Sequence, residues 1–324
     1  MNQYTTLFEQ QSYQDALDCY QQSLSDAAVP VWDDVLLTAS SDAQAKGYEE
    51  QLRCRRARRQ LPERTRFAVI PDRDGLRVGS GGATFSCLRH LAGQGARAES
   101  GSPFAGRKVL VIHSGGDSKR VPQYSVCGKL FSPVPRLLPD HRRSTLFDEF
   151  MIGMSTVAGR IAEGMLVCSG DVLLLFNALQ IDFYNADAAA LSIKESVETG
   201  KDHGVYLRDD EGCVSRFLHK QSVEALAARG AVDGRGHVDI DTGAVILSAP
   251  VLDSLYSLVD SDEKYRAFVN EKARLSFLRT SCIRWPLIRR WRNTTGKSPR
   301  ATTPTSCAPA ARPCGGRSTL IACA

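Results

Sequence analysis

Long apolar runs are missing from this sequence. No stretch of its 324 residues approaches the roughly 20 consecutive apolar residues that a membrane-spanning helix needs. The first ten residues, MNQYTTLFEQ, lack the apolar core of a secretory signal. We therefore expect a cytoplasmic protein with no membrane partner.

Paired cysteines are missing as well. The chain has no C-x-x-C pair, and no histidine cluster lies near a cysteine at the spacing of a zinc site. A disulfide framework and a structural zinc site are therefore not indicated. We expect reduced, mostly structural thiols at positions 19, 54, 87, 127, 168 and 213.

Acidic residues are absent from residue 279 onward. That segment holds nine Lys and Arg, whereas residues 1–278 hold 32 basic and 36 acidic residues. The net charge of +5 is thus a property of the tail alone. For the folded part, net charge gives no indication of a nucleic-acid partner, and none is expected.

The tail itself, residues 278–324, is rich in Arg, Pro, Thr, Ala and Cys and has no sustained hydrophobic period. A basic disordered tail has such a composition. Two tryptophans and four cysteines are unusual for disorder, however, and a GC-rich gene read out of frame gives the same mixture. We keep both interpretations, with a frameshift or truncation near residue 278 as the hypothesis that the DNA sequence tests.

What the sequence does contain is a glycine-rich stretch directly after the apolar run 109–112. It reads H-S-G-G-D-S-K-R-V-P-Q-Y-S-V-C-G-K, from His113 to Lys129. Gly115 and Gly116 lack Cβ atoms, so the backbone can turn sharply and point N–H groups at an anion. Asp117, Lys119, Arg120 and Lys129 complete a stretch that indicates a nucleotide phosphate site.

Two common phosphate motifs do not account for this stretch. A Walker A loop needs a glycine and a Ser or Thr at positions that hold Gln123 and Leu130. A dinucleotide fingerprint would fall on Gly79, Ser80, Gly81, Gly82, Ala83 and Thr84, but it ends in threonine and lacks an obvious ribose-binding acid.

The order of predicted elements indicates an α/β protein with a mostly parallel sheet flanked by helices. Helices are predicted over 6–25 and 41–60, the second opened by Ser41 and Gln44, and the arginines of 53–59 are expected on a solvated face. A glycine loop over 79–84 is expected to lead into a helix over 84–91, and Thr145 with Asp148 opens another. Strands are predicted near 35–38, 67–70, 76–78, 109–112, 165–169 and 188–193, with a hairpin over 203–206 and 214–220.

Several unbroken strings give the sequence a family resemblance. V-I-P-D at 69–72, R-V-G-S-G-G-A-T at 77–84, the string from Ile112 to Pro135 and F-L-H-K at 217–220 resemble the guanylyltransferase part of the L-fucokinase / GDP-fucose pyrophosphorylase family. The resemblance implies a Rossmann-like nucleotide-diphospho-sugar transferase fold with a helical N-terminal extension. It divides the chain into a helical part over 1–62, a catalytic core over 63–277 and the tail.

The resemblance also implies the substrates and the reaction. These are GTP and L-fucose 1-phosphate, joined to GDP-L-fucose with release of pyrophosphate, with Mg²⁺ or Mn²⁺ as the metal. In bifunctional members a separate kinase domain follows, and no such domain is found after Phe277. We therefore expect nucleotidyl transfer without fucose phosphorylation, and a catalytically inactive binding fragment remains the alternative.

The implied roles fall on residues in four segments. Arg120 is expected to hold the triphosphate, Lys129 and Lys220 the reacting phosphates, and the glycine segments the rest of the nucleotide. Asp171 follows a predicted buried strand, where it either holds the metal or caps a helix. His219, Asp241, Thr242 and Gly243 are expected to contact the sugar, and either Asp239 or Asp241 to add a second metal carboxylate.

Overall fold

A computed structural model describes residues 3–95, 101–114, 124, 128–178, 187–210, 212–270 and 318–323. In these residues the strands are β1 Asp34–Ala39, β2 Arg66–Pro71, β3 Lys108–His113, β4 Pro133–Leu137, β5 Arg143–Thr145, β6 Gly164–Ser169, β7 Ala188–Ser196, β8 Gly204–Arg208, β9 Val214–His219, β10 His237–Leu247 and β11 Ser318–Cys323. The helices are α1 Gln3–Ser23, α2 Asp42–Ala57, α3 Gly79–Gly93, α4 Leu146–Gly153, α5 Ser155–Ala158, α6 Val197–Gly200, α7 Val223–Ala228, α8 Ala249–Tyr256 and α9 Asp262–Phe268.

One mixed sheet organises the molecule. Its strand order is β11-β7-β10-β6-β3-β1-β2, and β10 runs antiparallel to both of its neighbours on this path while the other strands share one direction. The hairpin β8–β9 joins through β10, and β4 pairs with β5 separately. The expected α/β fold with a mostly parallel sheet and an N-terminal helix is confirmed.

The central strands are apolar on both faces because helices cover both faces. In β3, Leu110 and Ile112 pack with α1, α2, α4 and α5, whereas Val109 and Val111 pack with α3 and α8. A strand buried on both sides gives a continuous apolar run with no alternation. This explains why residues 109–112 are uniformly apolar.

Two helix starts agree with the sequence signals. The Ser41 hydroxyl accepts a hydrogen bond from the N–H of Gln44, and Thr145 with Asp148 makes both halves of a capping box. The cysteines at 19, 54, 87, 168 and 213 are free thiols, and Cys127 lies outside the described residues. Every helix in the described segments is too short or too polar to cross a bilayer.

Two local predictions are wrong. Residues 76–78 belong to no strand, and the helix predicted from Thr84 begins five residues earlier, at Gly79. Two glycines of this first helical turn have a structural reason to be there: Gly79 has φ +73°, and Gly82 has no room for a side chain. A Cβ on Gly82 would lie 2.6 Å from the Cβ of Val78. The tail contributes β11 beside β7, a strand that the sequence did not predict.

The arginine run on α2 is solvated with one exception. Arg55 is buried and donates to both carboxylate oxygens of buried Asp148, at 3.0 and 3.2 Å. Arg142 donates to the same carboxylate. Burial raises the pKa of Asp148, yet the hydrogen bonds from Arg142 and Arg55 outweigh it and hold the pKa at about 2. The pair fastens α2 to the start of α4.

We predict that Arg55→Met lowers the free energy of unfolding by about 1–3 kcal/mol, because it removes one of the two arginines that bond the buried Asp148 carboxylate. Urea unfolding measures the loss. The control is Arg53→Met on the same helix, where Arg53 pairs with Glu50 in solvent and the urea midpoint should not move. Equal midpoints for the two variants would contradict this account of Arg55.

Candidate active site

A cleft of about 610 Å³ opens at the carboxyl ends of β3 and β6. The first turn of α3 contributes Ser80 to its wall, and β7 and β10 contribute Ile193, Glu195 and the segment 240–243. Ligands of parallel α/β sheets bind beyond the carboxyl ends of the strands. The remaining lining residues are His113, Val167, Ser169, Val172, Leu173, Leu174, Thr199 and His203.

A chain of hydrogen bonds through His113 joins the two glycine segments. Its Nε2 lies 3.0 Å from the Thr84 hydroxyl, which itself donates to the Ser80 carbonyl oxygen at 2.9 Å. Since the Thr84 hydroxyl donates its proton to the Ser80 carbonyl oxygen, its own oxygen accepts the N–H of His113 Nε2. The other ring nitrogen, Nδ1, is then an acceptor. Nδ1 lies 3.4 Å from the Thr38 hydroxyl, whose oxygen accepts the N–H of Ser114.

The imidazole in this chain is neutral. Burial lowers the pKa of His113 to about 4, because the charged form loses its hydration in the core. His113 therefore stays uncharged at neutral pH. It acts as a fixed link between α3, β1 and the start of the phosphate stretch.

Tyr48 of α2 contacts both described ends of that stretch. Its hydroxyl donates to the carbonyl oxygen of Ser114 at 3.1 Å. Gly128 has φ +64°, and a Cβ at that position would collide with the Tyr48 ring and hydroxyl. Glycine at 128 is thus needed for both the backbone conformation and the close approach, and it sets the position of Lys129.

Lys129 and Asp171, which the sequence places in two separate segments, meet beside the cleft. The ammonium nitrogen of Lys129 lies 3.4 Å from Oδ2 of Asp171, and the Ser169 hydroxyl donates to Oδ1 at 2.8 Å. Both side chains are about half exposed. Gly170 brings them close to β3: its N–H donates to the carbonyl oxygen of His113, and a Cβ there would lie 2.8 Å from that oxygen.

The irregularity in β10 shapes the opposite wall. Pairing with β7 shifts register between Asp241 and Val245, and Gly243 adopts φ +73° with space for no Cβ beside Ser169. Oδ1 of Asp241 accepts hydrogen bonds from the Tyr206 hydroxyl and the N–H of Gly243, each at 2.8 Å. Burial raises the pKa of this carboxyl group.

The structure separates the two acids between which the sequence left the choice open. Asp241 lines the cleft, whereas Asp239 accepts hydrogen bonds from Lys194 at 3.1 Å and lies 3.2 Å from Arg208. Asp239 is not among the cleft-lining residues. Its carboxylate is engaged by Lys194 and Arg208, so of these two acids it is Asp241 whose side chain lines the cleft.

The hairpin lysine lies next to the cleft and not in its lining. Lys220 has φ +48°, and its N–H donates to the carbonyl oxygen of His203, which does line the cleft. His219 stacks on Phe217. In the first glycine segment, residues 79–84, Ser80 lines the cleft. Gly81 and Gly82 are buried in the first turn of α3, which begins at Gly79.

Four predicted nucleotide-binding residues lie outside the described residues. They are Gly115, Gly116, Asp117 and Arg120. Their roles stay predictions from the sequence motif.

Sequence reasoning missed several lining residues. His113 is part of the phosphate string, and its position directly after the apolar run 109–112 is the signal that would have found it. Glu195, Thr199 and His203 carry no motif, since only the pairing of β7, β8 and β10 brings them to the cleft.

The acids present suit a magnesium ion held jointly with substrate. Within the described residues, no group of three or more His, Cys, Asp or Glu side chains gathers as a metal site. Mg²⁺ usually takes one or two protein carboxylates and completes its shell with phosphate oxygens and water. A half-exposed Asp171 beside the cleft is consistent with that pattern.

We predict that the neutral His113 makes stability depend on pH. The unfolded histidine takes up a proton near pH 6.5 and the folded one only near pH 4, so stability is lost as pH falls between these values. Asp72, whose pKa burial raises to about 6, acts in the opposite sense. The quantity to measure is therefore the unfolding free energy of wild type minus that of His113→Gln.

This difference should fall by about 3 kcal/mol between pH 7 and pH 4. Half-exposed His237 supplies the control, since His237→Gln removes an imidazole outside the chain of hydrogen bonds. Parallel stability curves for wild type and His113→Gln would show that His113 is not held neutral.

Comparison with known proteins identifies the family of this chain. A family model described as the fucose pyrophosphorylase domain matches residues 102–283. This range includes β3, Lys129, Asp171 and the Asp241–Gly243 segment. It ends a few residues beyond Phe277.

Curated relatives match over a similar part of the chain. A bifunctional fucokinase/GDP-fucose pyrophosphorylase of Arabidopsis thaliana is 30% identical over 67% of this chain and 23% of its own length. Fucose-1-phosphate guanylyltransferases of Mus musculus and Homo sapiens are each 29% identical, over 64% and 71% of this chain. The chain spans 36% and 39% of the length of these two relatives.

Among solved structures, HddC from Yersinia pseudotuberculosis aligns with 71% of this chain and 80% of its own at 11% identity and a TM-score of 0.30. An alignment with that TM-score does not establish the family. The family match does, because it covers more than half of the sequence and most of the residues that line the cleft. This chain belongs to the fucose pyrophosphorylase family.

Proposed function

We propose that this chain is a fucose-1-phosphate guanylyltransferase. The reaction joins GTP and L-fucose 1-phosphate to give GDP-L-fucose and pyrophosphate. The observation that carries the proposal is the Lys129–Asp171 pair beside the cleft, whose walls come from the start of α3 and from β7 and β10. The family and the names of the relatives support the choice of substrates.

The chemistry is a displacement at phosphorus. A phosphate oxygen of fucose 1-phosphate attacks the α-phosphorus of GTP, and the bond from that phosphorus to the oxygen bridging to the β-phosphate breaks. Pyrophosphate leaves with the bonding electrons. The protein's task is to place two anionic substrates in line and to offset their repulsion.

Lys129 is the described cation best placed for this task. Its side chain is half exposed, and the Asp171 carboxylate that it pairs with is also in contact with solvent. The ammonium group can therefore turn to a phosphate when substrate enters. The Gly128–Tyr48 contact fixes its backbone. Arg120, from the same motif, is proposed to hold the triphosphate, and Lys220 to meet the sugar phosphate from the rim.

Asp171 and Asp241 are proposed for the remaining polar roles. Asp171 would hold Mg²⁺ or Mn²⁺, which supplies charge to the transferring and leaving phosphates when bound. The Ser169 hydroxyl keeps that carboxylate oriented. Asp241, Thr242 and Gly243 would receive the sugar, with Thr242 itself fixed by donation to the carbonyl oxygen of Leu191 at 2.8 Å.

The direct test is pyrophosphate release from GTP by the purified chain. Release should require L-fucose 1-phosphate and yield an equal amount of GDP-L-fucose. A folded chain that binds GTP but forms no GDP-L-fucose under these conditions would overturn the proposed activity.

We predict that Lys129→Ala lowers turnover by on the order of 10² or more, since it removes charge that acts on the reacting phosphates. The fold should remain, because the side chain is half exposed. Lys264→Ala is the control: Lys264 also pairs with an aspartate, Asp260, but on the surface near α9. Turnover of Lys129→Ala equal to that of Lys264→Ala would remove Lys129 from the mechanism.

A further inference from the structure

Tyr206 of β8 is a buried residue that contacts the cleft through one acid. Its side chain is 1% exposed and is not among the described residues that line the cleft. It lies opposite Asp239 in the pairing of β8 with β10, and side chains two residues apart on a strand share one face of the sheet. Tyr206 therefore shares a face with Asp241, which lines the cleft, and its hydroxyl donates to Oδ1 of Asp241 at 2.8 Å.

Two donors fix the same oxygen of Asp241. Oδ1 accepts both the Tyr206 hydroxyl and the N–H of Gly243, whereas Oδ2 has no hydrogen-bond partner among the described residues. Burial raises the pKa of Asp241, and the hydrogen bonds from Gly243 and Tyr206 act in the opposite sense because they favour the charged form. The carboxylate is thus held in one orientation, with one oxygen left to accept a further hydrogen bond.

The F-L-H-K string supports Tyr206 from the neighbouring strand. Tyr206 and Phe217 are paired across β8 and β9, and their ring centroids lie 5.3 Å apart. Gly204 permits this contact, because a Cβ at that position would overlap the Phe217 ring and lie 3.3 Å from the Cβ of Asp241. The strand that ends in F-L-H-K therefore helps to hold the acid on β10 through Tyr206.

The bond from Tyr206 has a different effect from the bond from Gly243. The irregular turn of β10 after Asp241 is held by the Gly243 N–H and by Thr242, whose hydroxyl donates to the carbonyl oxygen of Leu191. Both of these contacts remain when the Tyr206 hydroxyl is removed. Its removal should therefore let the carboxylate rotate while the strand keeps its shape.

We propose that Tyr206 is a positioning residue for the sugar phosphate, because it holds the Asp241 carboxylate so that Oδ2 accepts a hydrogen bond from a sugar hydroxyl. This inference rests on the proposed function, in which Asp241 receives the sugar. A supporting contact of this kind keeps a binding group in its productive orientation without meeting the ligand. The effect of Tyr206 should fall on the sugar substrate and not on GTP.

The experiment measures kcat and the KM values for L-fucose 1-phosphate and GTP in wild type and in Tyr206→Phe. Phenylalanine keeps the ring and its contact with Phe217, so the fold should remain. A hydrogen bond of ordinary net strength changes a binding constant by about 3- to 10-fold, and the KM for L-fucose 1-phosphate should rise by that factor. The KM for GTP should stay within about twofold of the wild-type value.

Tyr265→Phe is the matched control. Tyr265 is also a buried tyrosine, and its hydroxyl lies 2.6 Å from the Ser86 hydroxyl. Neither residue is among the described residues that line the cleft. This variant loses one hydrogen bond at a packed ring without affecting Asp241, so both KM values should match wild type.

Each outcome decides the question. A raised KM for L-fucose 1-phosphate in Tyr206→Phe, with the KM for GTP and the control unchanged, supports the positioning role. A sugar KM equal to that of the control overturns the inference and leaves the proposed function intact. Parallel rises in both KM values make Tyr206 a packing residue and also overturn the inference. A wild-type chain that forms no GDP-L-fucose overturns the proposed function, and the inference with it.

Discussion

One uncharged histidine at the end of a buried strand holds the candidate site together. His113 donates to Thr84 and accepts from Thr38, so α3 and β1 are fixed to the point where β3 enters the phosphate stretch. In these contacts the imidazole is neutral, with its proton on Nε2. Burial in the core, which lowers the pKa of His113 to about 4, enforces that state. Ser80, which lines the cleft, is connected to His113 through Thr84 and depends on the same hydrogen bonds.

The strand ends approach each other more closely than side chains would allow. Gly170 follows β6 and contacts the carbonyl oxygen of His113, and Gly243 of β10 contacts Ser169. Together with Gly128 against Tyr48, these glycines bring Lys129, Asp171 and Asp241 around one cleft. Glycine therefore serves here mainly to permit contact between backbones, and positive φ angles at 128 and 243 add a second requirement.

Sequence reasoning recovered the features that local chemistry determines. The apolar run at 109–112 and the capping pair Thr145–Asp148 fixed strand and helix positions, and the strand-then-acid pattern located Asp171. It failed where tertiary packing decides the local structure or the orientation of a side chain. Gly79, Gly81 and Gly82 suggested a loop because the packing of Gly82 against Val78 is invisible in the sequence. Only strand pairing shows that Asp239 faces Lys194 and Arg208 while Asp241 lines the cleft.

The central claim is direct nucleotidyl transfer between two substrates held in this cleft. GTP labelled at the α-phosphate, mixed with excess chain and quenched within one turnover, follows the transferred group itself. The account predicts that the label passes from GTP to GDP-L-fucose, only when L-fucose 1-phosphate is present, with none bound to protein. Label retained covalently on the chain, or pyrophosphate released without the sugar phosphate, would contradict it.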